Sequence, residues 1–406
     1  MNKNLLLNAI AIIVSTLNFA NAQTAYIPNS ASNNVSVINI NTGTVIATIP
    51  TQIYPSGVAV SPDGTKVYIG HSTNGKISEI NTATNTVTTV FSGTFGNAKA
   101  LAISPDGTKL YVTNSSSDFV CIVNTSTYAV IDCKPVGYAP KGVAVNSSGT
   151  MAYVANLFGQ TVSVLNTSNN TVVATIPVGY GPFDVAVHPN GSKVYVSNDG
   201  DSIINIIDAV SNTAIGSINI GSSSLCLTIS PDGTKLYVAK YTDNEIDVIN
   251  TSNNSIIASI PVGAVPYGIS LTPDGTRLLV TNSGDNTVSI INTITNTVIN
   301  TIPVGNTPQG IGKFISTFPT INTSLSETPA NNFEALAYPN PSDGQFNLKF
   351  PEENIEYFIT NILGQEVIRS NSNLKTTAKI QIVEKGMYIL HMWTSKGLRI
   401  EKIVIK

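Results

Sequence analysis

Charge is scarce in this chain. Lysine and arginine together number 21 and aspartate and glutamate 24 among 406 residues, 11 % in all, against about 25 % in an average soluble protein. So small a supply excludes both a protein of long solvated helices and a charged, disordered chain. A net charge of −3 leaves no basic surplus for a nucleic-acid footprint. Three cysteines and three histidines are too few and too scattered for a disulfide framework or a metal cluster. Long hydrophobic runs are missing too. The apolar stretch from Leu5 to Val14, interrupted by Asn8, is half of the about 20 residues that span a bilayer, and no later segment comes closer. What fills the chain instead is Val, Ile, Thr, Asn, Ser and Gly, the material of short strands and turns.

The N-terminus has a processing signature. Lys3, the apolar stretch and Ala20-Asn21-Ala22 form the charged region, hydrophobic region and small-x-small site of a secretory signal peptide. The expected leader is 1–22, with Gln23 as the first mature residue. No cysteine lies near the cleavage site, so no lipid anchor is expected.

Self-similarity organises the next 295 residues. SPDGTKVYIG at Ser61 returns as SPDGTKLYVTN at Ser104, NSSGTMAYVAN at Asn146, HPNGSKVYVSN at His188, SPDGTKLYVAK at Ser230 and TPDGTRLLVTN at Thr272. The turn glycines Gly64, Gly107, Gly149, Gly191, Gly233 and Gly275 are spaced 43, 42, 42, 42 and 42. A second marker follows 17 residues after each glycine, yet it occurs seven times: Asn39, Asn81, Asn124, Asn166, Asp208, Asn250 and Asn292. The first marker implies a turn at position 22, where the leader ends. At the other end Pro308-Gln309-Gly310-Ile311 repeats Pro266-Tyr267-Gly268-Ile269 one period on. The repeat region, 23–317, thus begins one strand late and ends with the strand it lacked.

Each unit reads as four strands. Strand A is of the GVAV type, strand B of the KLYVTN type, strand C of the NVSVIN type and strand D of the TVVATIP type. Pro-Asp-Gly joins A to B, because Pro fixes φ, Asp bonds back to the chain and Gly takes positive φ. Pro50, Pro135, Pro177, Pro261 and Pro303 close strand D, which proline confines to an exposed outer edge. Along strand A, large residues (Val58, Leu101, Val143, Val185, Ile269) alternate with small ones (Gly57, Ala100, Gly142, Gly268), so a large face meshes with the small face of the next sheet. Four-stranded units of this length predict an all-β fold, a seven-bladed β-propeller closed by strands from both termini. An open solenoid leaves the complementary phase of the ends unexplained.

The strings YVTN from Tyr111 and VTN from Val280, with SPDGTKLYV and NVSVIN, resemble the YVTN family of seven-bladed propellers. The resemblance covers 23–317 and implies a periplasmic or surface protein whose ligand is undefined. It is not of the WD type, since the repeats hold no Trp.

Composition changes after Thr317. Residues 318–336 read as a Thr/Ser/Pro/Asn linker, and 337–406 as a separate domain in which 16 of 70 residues are charged. FNLKF, EYFIT, KIQIV, MYILHM and LRIEKIVIK read as strands of a small Ig-like β-sandwich, with turns at Pro351 and Gly386. Tyr338-Pro339-Asn340-Pro341-Ser342, Asn361-Ile362-Leu363-Gly364-Gln365-Glu366-Val367, Lys385-Gly386-Met387-Tyr388 and the terminal Lys402–Lys406, in that order, resemble the type A C-terminal sorting domain of the type IX secretion system of Bacteroidetes. The resemblance implies passage through the periplasm, engagement of that machinery and display at, or release from, the outer surface.

Candidate site residues lie on the face with the B–C loops and D–A connections. The connections supply Tyr54, Tyr138, Tyr180, Phe183 and Tyr267, and the loops Phe119, Phe158 and Tyr241. Asn114, Asn156, Asn198 and Asn282 stand between them. Rings beside amides suit a glycan or an extended peptide; the same tyrosines and asparagines equally serve as inter-blade packing and turn caps. Four positions depart from the repeat. His71 and Lys240 stand where most units end strand B with Asn, and Asp184 and Cys226 where most place Gly or Ala in strand A. Asp184, Lys240 and His71 are candidate polar groups of the mouth, unless these departures are drift between tolerant repeats. No catalytic residue, cofactor or metal is assigned, because Asp63, Asp106, Asp232 and Asp274 are explained by their turns. Cys121 and Cys133 lie on one C–D hairpin, either opposed and bonded or diagonal. The sequence therefore predicts an exported, non-enzymatic binding or adhesion module. A hydrolase of the lactonase-propeller kind and a structural coat component are the alternatives.

Overall fold

The computed structural model describes residues 23–316 other than 94, and 337–338, 342–349, 356–361, 366–371, 377–383, 385–394 and 397–405. The leader 1–22, the linker 318–336 and the landmark positions 339–341, 362–365 and 406 lie outside them, as does the turn at Pro351. The contacts divide the chain into two units, 1–323 and 324–406.

Turn chemistry sets the strand lengths in the first unit. The Asp63 carboxylate accepts the Ser61 hydroxyl at 2.6 Å and the Thr65 N–H at 3.1 Å, while Gly64 takes φ 69°. Asp106, Asp232 and Asp274 bond in the same way, so the repeated aspartates belong to the turns. At the turn between strands C and D, Asn39 Oδ1 accepts the N–H groups of Asn41 and Thr42 at 3.0 and 3.1 Å. Asp208 does so for Val210 and Ser211. These side chains close the turns between strands C and D, which pair from Asn39 with Thr44 and from Asp208 with Thr213.

The result is seven antiparallel sheets whose strands pair in sequence order. Blade 1 holds three strands within 24–50; blades 2 to 7 hold four each, within 55–92, 98–135, 140–177, 182–219, 227–261 and 266–303. The protein is a seven-bladed β-propeller. The segment after the last blade completes blade 1. Ser30 N–H donates to Thr307 O at 3.0 Å, Gln309 N–H to Pro28 O at 2.9 Å and Tyr26 N–H to Phe314 O at 2.9 Å. It is an interrupted strand rather than a regular one. Gly310 and Gly312 take φ 106° and 120°, and the Ile311 carbonyl turns to accept Val58 N–H of blade 2 at 3.1 Å.

Radial packing follows the size alternation of strand A. A Cβ on Gly57 would lie 2.9 Å from Lys99 O and 3.0 Å from Ala100 Cα in the next blade. One on Gly268 would lie 2.4 Å from Gly310 O. Strand B supplies a column of tyrosines, Tyr26, Tyr68, Tyr111, Tyr153, Tyr195 and Tyr237, each almost wholly buried, with Leu279 in the seventh place. Basic side chains after the Pro-Asp-Gly turns tie blade to blade: Lys109 Nζ donates to Thr167 O at 2.7 Å and Lys235 Nζ to Thr293 O at 2.8 Å. Arg277 donates likewise to Ile40 O at 2.7 Å, so this bond also joins blade 7 to blade 1. The outer strands, such as Thr44–Pro50 and Thr171–Pro177, are mostly exposed.

In the second unit, Ala337–Tyr338, Gln345–Lys349 and Thr377–Gln381 form one sheet, and Glu356–Asn361, Glu366–Asn371, Gly386–Thr394 and Gly397–Ile405 another. Phe346, Leu348, Tyr357, Ile359, Tyr388, Leu390, Ile403 and Ile405 form their shared core. Gly386 opens a strand rather than marking a turn.

Candidate functional site

The D–A connections place one residue in the left-handed region just before strand A: Tyr54 at φ 51°, Ala139 at 55°, Val265 at 54° and Thr307 at 53°. Their N–H groups are held by Asn33, Asp118, Asn244 and Asn286 of the preceding blade at 2.8–2.9 Å. The strain at Tyr54 is therefore a property of the repeat. Tyr54 is 49 % exposed, and Tyr138, Tyr180 and Phe158 are 60, 58 and 61 % exposed. Tyr138 and Phe158 form one tilted pair with centroids 5.6 Å apart. Tyr54 and Tyr180 stand at other blade junctions.

Two of the departing residues are absorbed by the fold. In blade 4, Asn156 at the end of strand B donates to Thr161 and Ser163 on strand C, five and seven residues on, at 3.0 Å each. Asn282 does the same with Thr287 and Ser289. His71 takes this place in blade 2, fully buried; its Nε2 lies 2.9 Å from Ser78 Oγ and its Nδ1 3.2 Å from Ile53 O. Burial holds the imidazole down at about 4, so it is neutral. Lys240 takes the place in blade 6, where the partners five and seven residues on are Glu245 and Asp247. Its Nζ lies 2.7 Å from Glu245, 2.8 Å from Asp243 and 3.6 Å from Asp247. Burial pulls its pKa down, but these carboxylates outweigh that and raise it.

The others meet at the axis. Asp184 is 8 % exposed, with Oδ1 accepting Val185 N–H at 2.9 Å and Oδ2 accepting Leu227 N–H at 3.4 Å. Burial pushes its carboxyl up to about 6. The buried Cys226 thiol beside it is raised by burial and by the Asp184 charge. Phe183 of blade 5 and Tyr267 of blade 7 are edge to face, centroids 5.7 Å apart, although blade 6 stands between their blades.

Phe183 and Tyr267 belong to a column that spacing alone reveals, the residue one before the Gly/Ala position of strand A. In blade order its members are Gln309, Ser56, Lys99, Lys141, Phe183, Leu225 and Tyr267. Lys141 Nζ lies 5.7 Å from the Phe183 ring centroid. Burial lowers both lysines, Lys99 to about 8 with Lys141 adding to the effect. Lys99 and Lys141 are absent from the aromatic and amide set proposed from sequence. Comparing that column across units would have found them. A further lysine, Lys313, stands lower on the closing segment; burial lowers it, yet water reaches it.

Cys121 and Cys133 are directly opposed, with Cα atoms 4.0 Å apart, and form a disulfide. Two grooves, of about 200 and 440 Å³, lie on the opposite face, lined by turn residues including Asp106 and Lys109 in one and His188 and Asp232 in the other.

Comparison with known proteins identifies the end of the chain. Residues 336–406 match the family model described as "Secretion system C-terminal sorting domain". No curated protein matches. A hydrazine synthase chain of Kuenenia stuttgartiensis is similar to the chain at 22 % identity and a TM-score of 0.59, covering 65 % of this chain and 90 % of its own. A functionally unknown protein from Desulfotomaculum acetoxidans has 15 % identity and a TM-score of 0.63, covering 71 % and 99 %. These likenesses concern the fold alone. The sorting domain makes this a propeller protein exported by type IX secretion to the cell surface or beyond. Among the described residues no helix is long and apolar enough to cross a membrane.

Proposed function

We propose that the propeller is a non-enzymatic binding module, presented outside the cell and engaging its ligand, a glycan or extended peptide, with the face of the D–A connections and B–C loops. The observation that carries this reading is the set of exposed rings, Tyr54, Tyr138, Phe158 and Tyr180, on that face. Tyr138 and Phe158 pack on each other, yet all four residues keep large apolar surface in water, and flat rings stack on sugar faces and peptide planes. Several acid–base groups that catalysis could draw on are engaged by the fold. His71 and Lys240 stabilise strand junctions, and the repeated aspartates hold turns.

On this reading the leader 1–22 is removed on export, 23–317 forms the binding domain, 318–336 tethers it and 337–406 addresses it. Glycan- and peptide-array binding by the exported protein tests the proposal. Tyr138→Ala with Tyr180→Ala should reduce the array signal at least about tenfold, or about 1.4 kcal/mol, with unchanged melting. Full binding by the double variant would reject this face.

A further inference from the structure

The seven side chains of the axial ring are divided by chemistry into two unbroken halves. Gln309, Ser56, Lys99 and Lys141, from blades 1 to 4, are polar or cationic; Phe183, Leu225 and Tyr267, from blades 5 to 7, are apolar. They converge on one space. The Phe183 and Tyr267 rings meet across blade 6, Lys141 stands over Phe183, and Lys99 is within electrostatic reach of Lys141 and of Cys226, the residue after Leu225.

The polar half is incomplete. Lys99 and Lys141 are half-buried, and neither ammonium has an ion-pair or hydrogen-bond partner among the described residues. Gln309 Oε1 is buried without a hydrogen-bond partner. The nearby carboxylates supply only part of what is missing: Asp199 favours the Lys141 ammonium by its charge, without an ion pair between them. Asp184 is turned onto the backbone of Val185 and Leu227, and Asp199 is hydrogen-bonded to Tyr241. Two neighbouring unpaired ammonium groups in a partly dry site are costly unless an anion joins them. The lysines do not serve blade packing either, because Ser56, Leu225 and Gln309 occupy the same place elsewhere.

We propose that the axial opening is a binding site for a small amphipathic anion, a carboxylate on an aromatic or aliphatic body. The carboxylate lies between Lys99 and Lys141, and the body lies against Phe183, Leu225 and Tyr267. This site is separate from the exposed rim tyrosines and goes beyond the glycan or peptide reading.

Calorimetry of the exported protein with 3-phenylpropionate, its neutral counterpart 3-phenylpropanol and inorganic phosphate tests the assignment. The carboxylate should bind at least roughly tenfold more tightly than the alcohol or phosphate. Lys99→Met and Lys141→Met, which keep the apolar stems, should each weaken it about tenfold, and the double variant should abolish it. Phe183→Leu should weaken phenylpropionate and leave phosphate unchanged, and Val210→Ala, on an exposed turn between outer strands, should change neither. A measurement on the unaltered protein guards against variants that do not fold. Affinity should decline as pH rises through about 8, where Lys99 loses its proton, with proton uptake on binding near that pH. Alcohol binding equal to the carboxylate overturns the cationic half of the site, and phosphate binding equal to it overturns the apolar half. No binding of any probe at millimolar concentration overturns the proposal whole, and leaves the rim reading to its own array test.

Discussion

Asp184 shows how one residue can run against its repeat and still be housed. Other blades place Gly, Ala or Cys here; a carboxylate fits because the facing residue in blade 4 is Gly142, whose Cβ would lie 2.3 Å from Asp184 Oδ1. The carboxylate collects two backbone N–H groups, but loses most of its water, and desolvation prevails: the carboxyl is pushed from 3.8 to about 6. Because the folded state holds this proton more tightly than the unfolded chain, Asp184 takes stability away as pH rises from about 4 to about 6. The loss is absent below that window and complete above it, at about 3 kcal/mol. Asp184→Asn should therefore gain on the parent in urea denaturation across this window, and the gap should stay level above it. A gap that is flat from pH 4 to 7 would show a well-solvated carboxylate. Cys121 and Cys133 offer a second residue-scale check. Intact mass without reductant should be two hydrogens below the fully reduced value; equality would reject the bridge.

Strand A, the narrowest part of each blade, is where sequence is most constrained by its neighbours. Gly268 needs no unusual φ; its small size matters because the closing segment passes over it, with Gly310 O 2.4 Å and Gln309 O 2.7 Å from where a Cβ would stand. Backbone cannot yield as a flexible side chain can. Gly268→Ala should cost about 1–3 kcal/mol as an overpacking substitution. Gly216, on the exposed outer strand Thr213–Asn219, has nothing within 4 Å of its Cβ position. Gly216→Ala should be neutral or raise stability by about 0.4–1 kcal/mol, through the lower entropy of the unfolded chain. Thermal melting of the two variants side by side measures the difference. Similar melting shifts for both would mean that the inner strands do not approach this closely.

At the scale of the whole molecule, the blade count and the circular permutation of blade 1 were legible because turn residues recur with fixed phase and the two ends of the repeat are complementary. The interrupted form of the closing strand was not. It depends on the Ile311 carbonyl choosing Val58 of the next blade, a contact between positions 253 residues apart. The site was legible only in part. Exposed tyrosines announce themselves singly, whereas Lys99 and Lys141 gain meaning from the five other residues of their ring. In sequence His71 and Lys240 depart from the repeat, yet their partners Ser78, Glu245 and Asp247 stand at the places the repeat already uses. Closure itself can be measured. Phe314 and Ile315 are almost fully buried in a core shared by blades 1, 2 and 7, and Ile311 in the core that holds Ile269 and Val280 of blade 7, each contributing about 1.5–3 kcal/mol, beside the backbone bonds to Tyr26, Pro28 and Ser30. A chain ending after Ser316 should melt as the full propeller does. One ending after Gly305 should lose on the order of 5 kcal/mol, a large share of the 5–15 kcal/mol of a typical domain. A peptide of residues 306–316 added to the shorter chain should restore part of that loss, because the groove beside Thr24–Asn29 is left open. Equal melting of the two chains, with no effect of the peptide, would mean that blade 1 stands without its fourth strand and that the ring is not held by it.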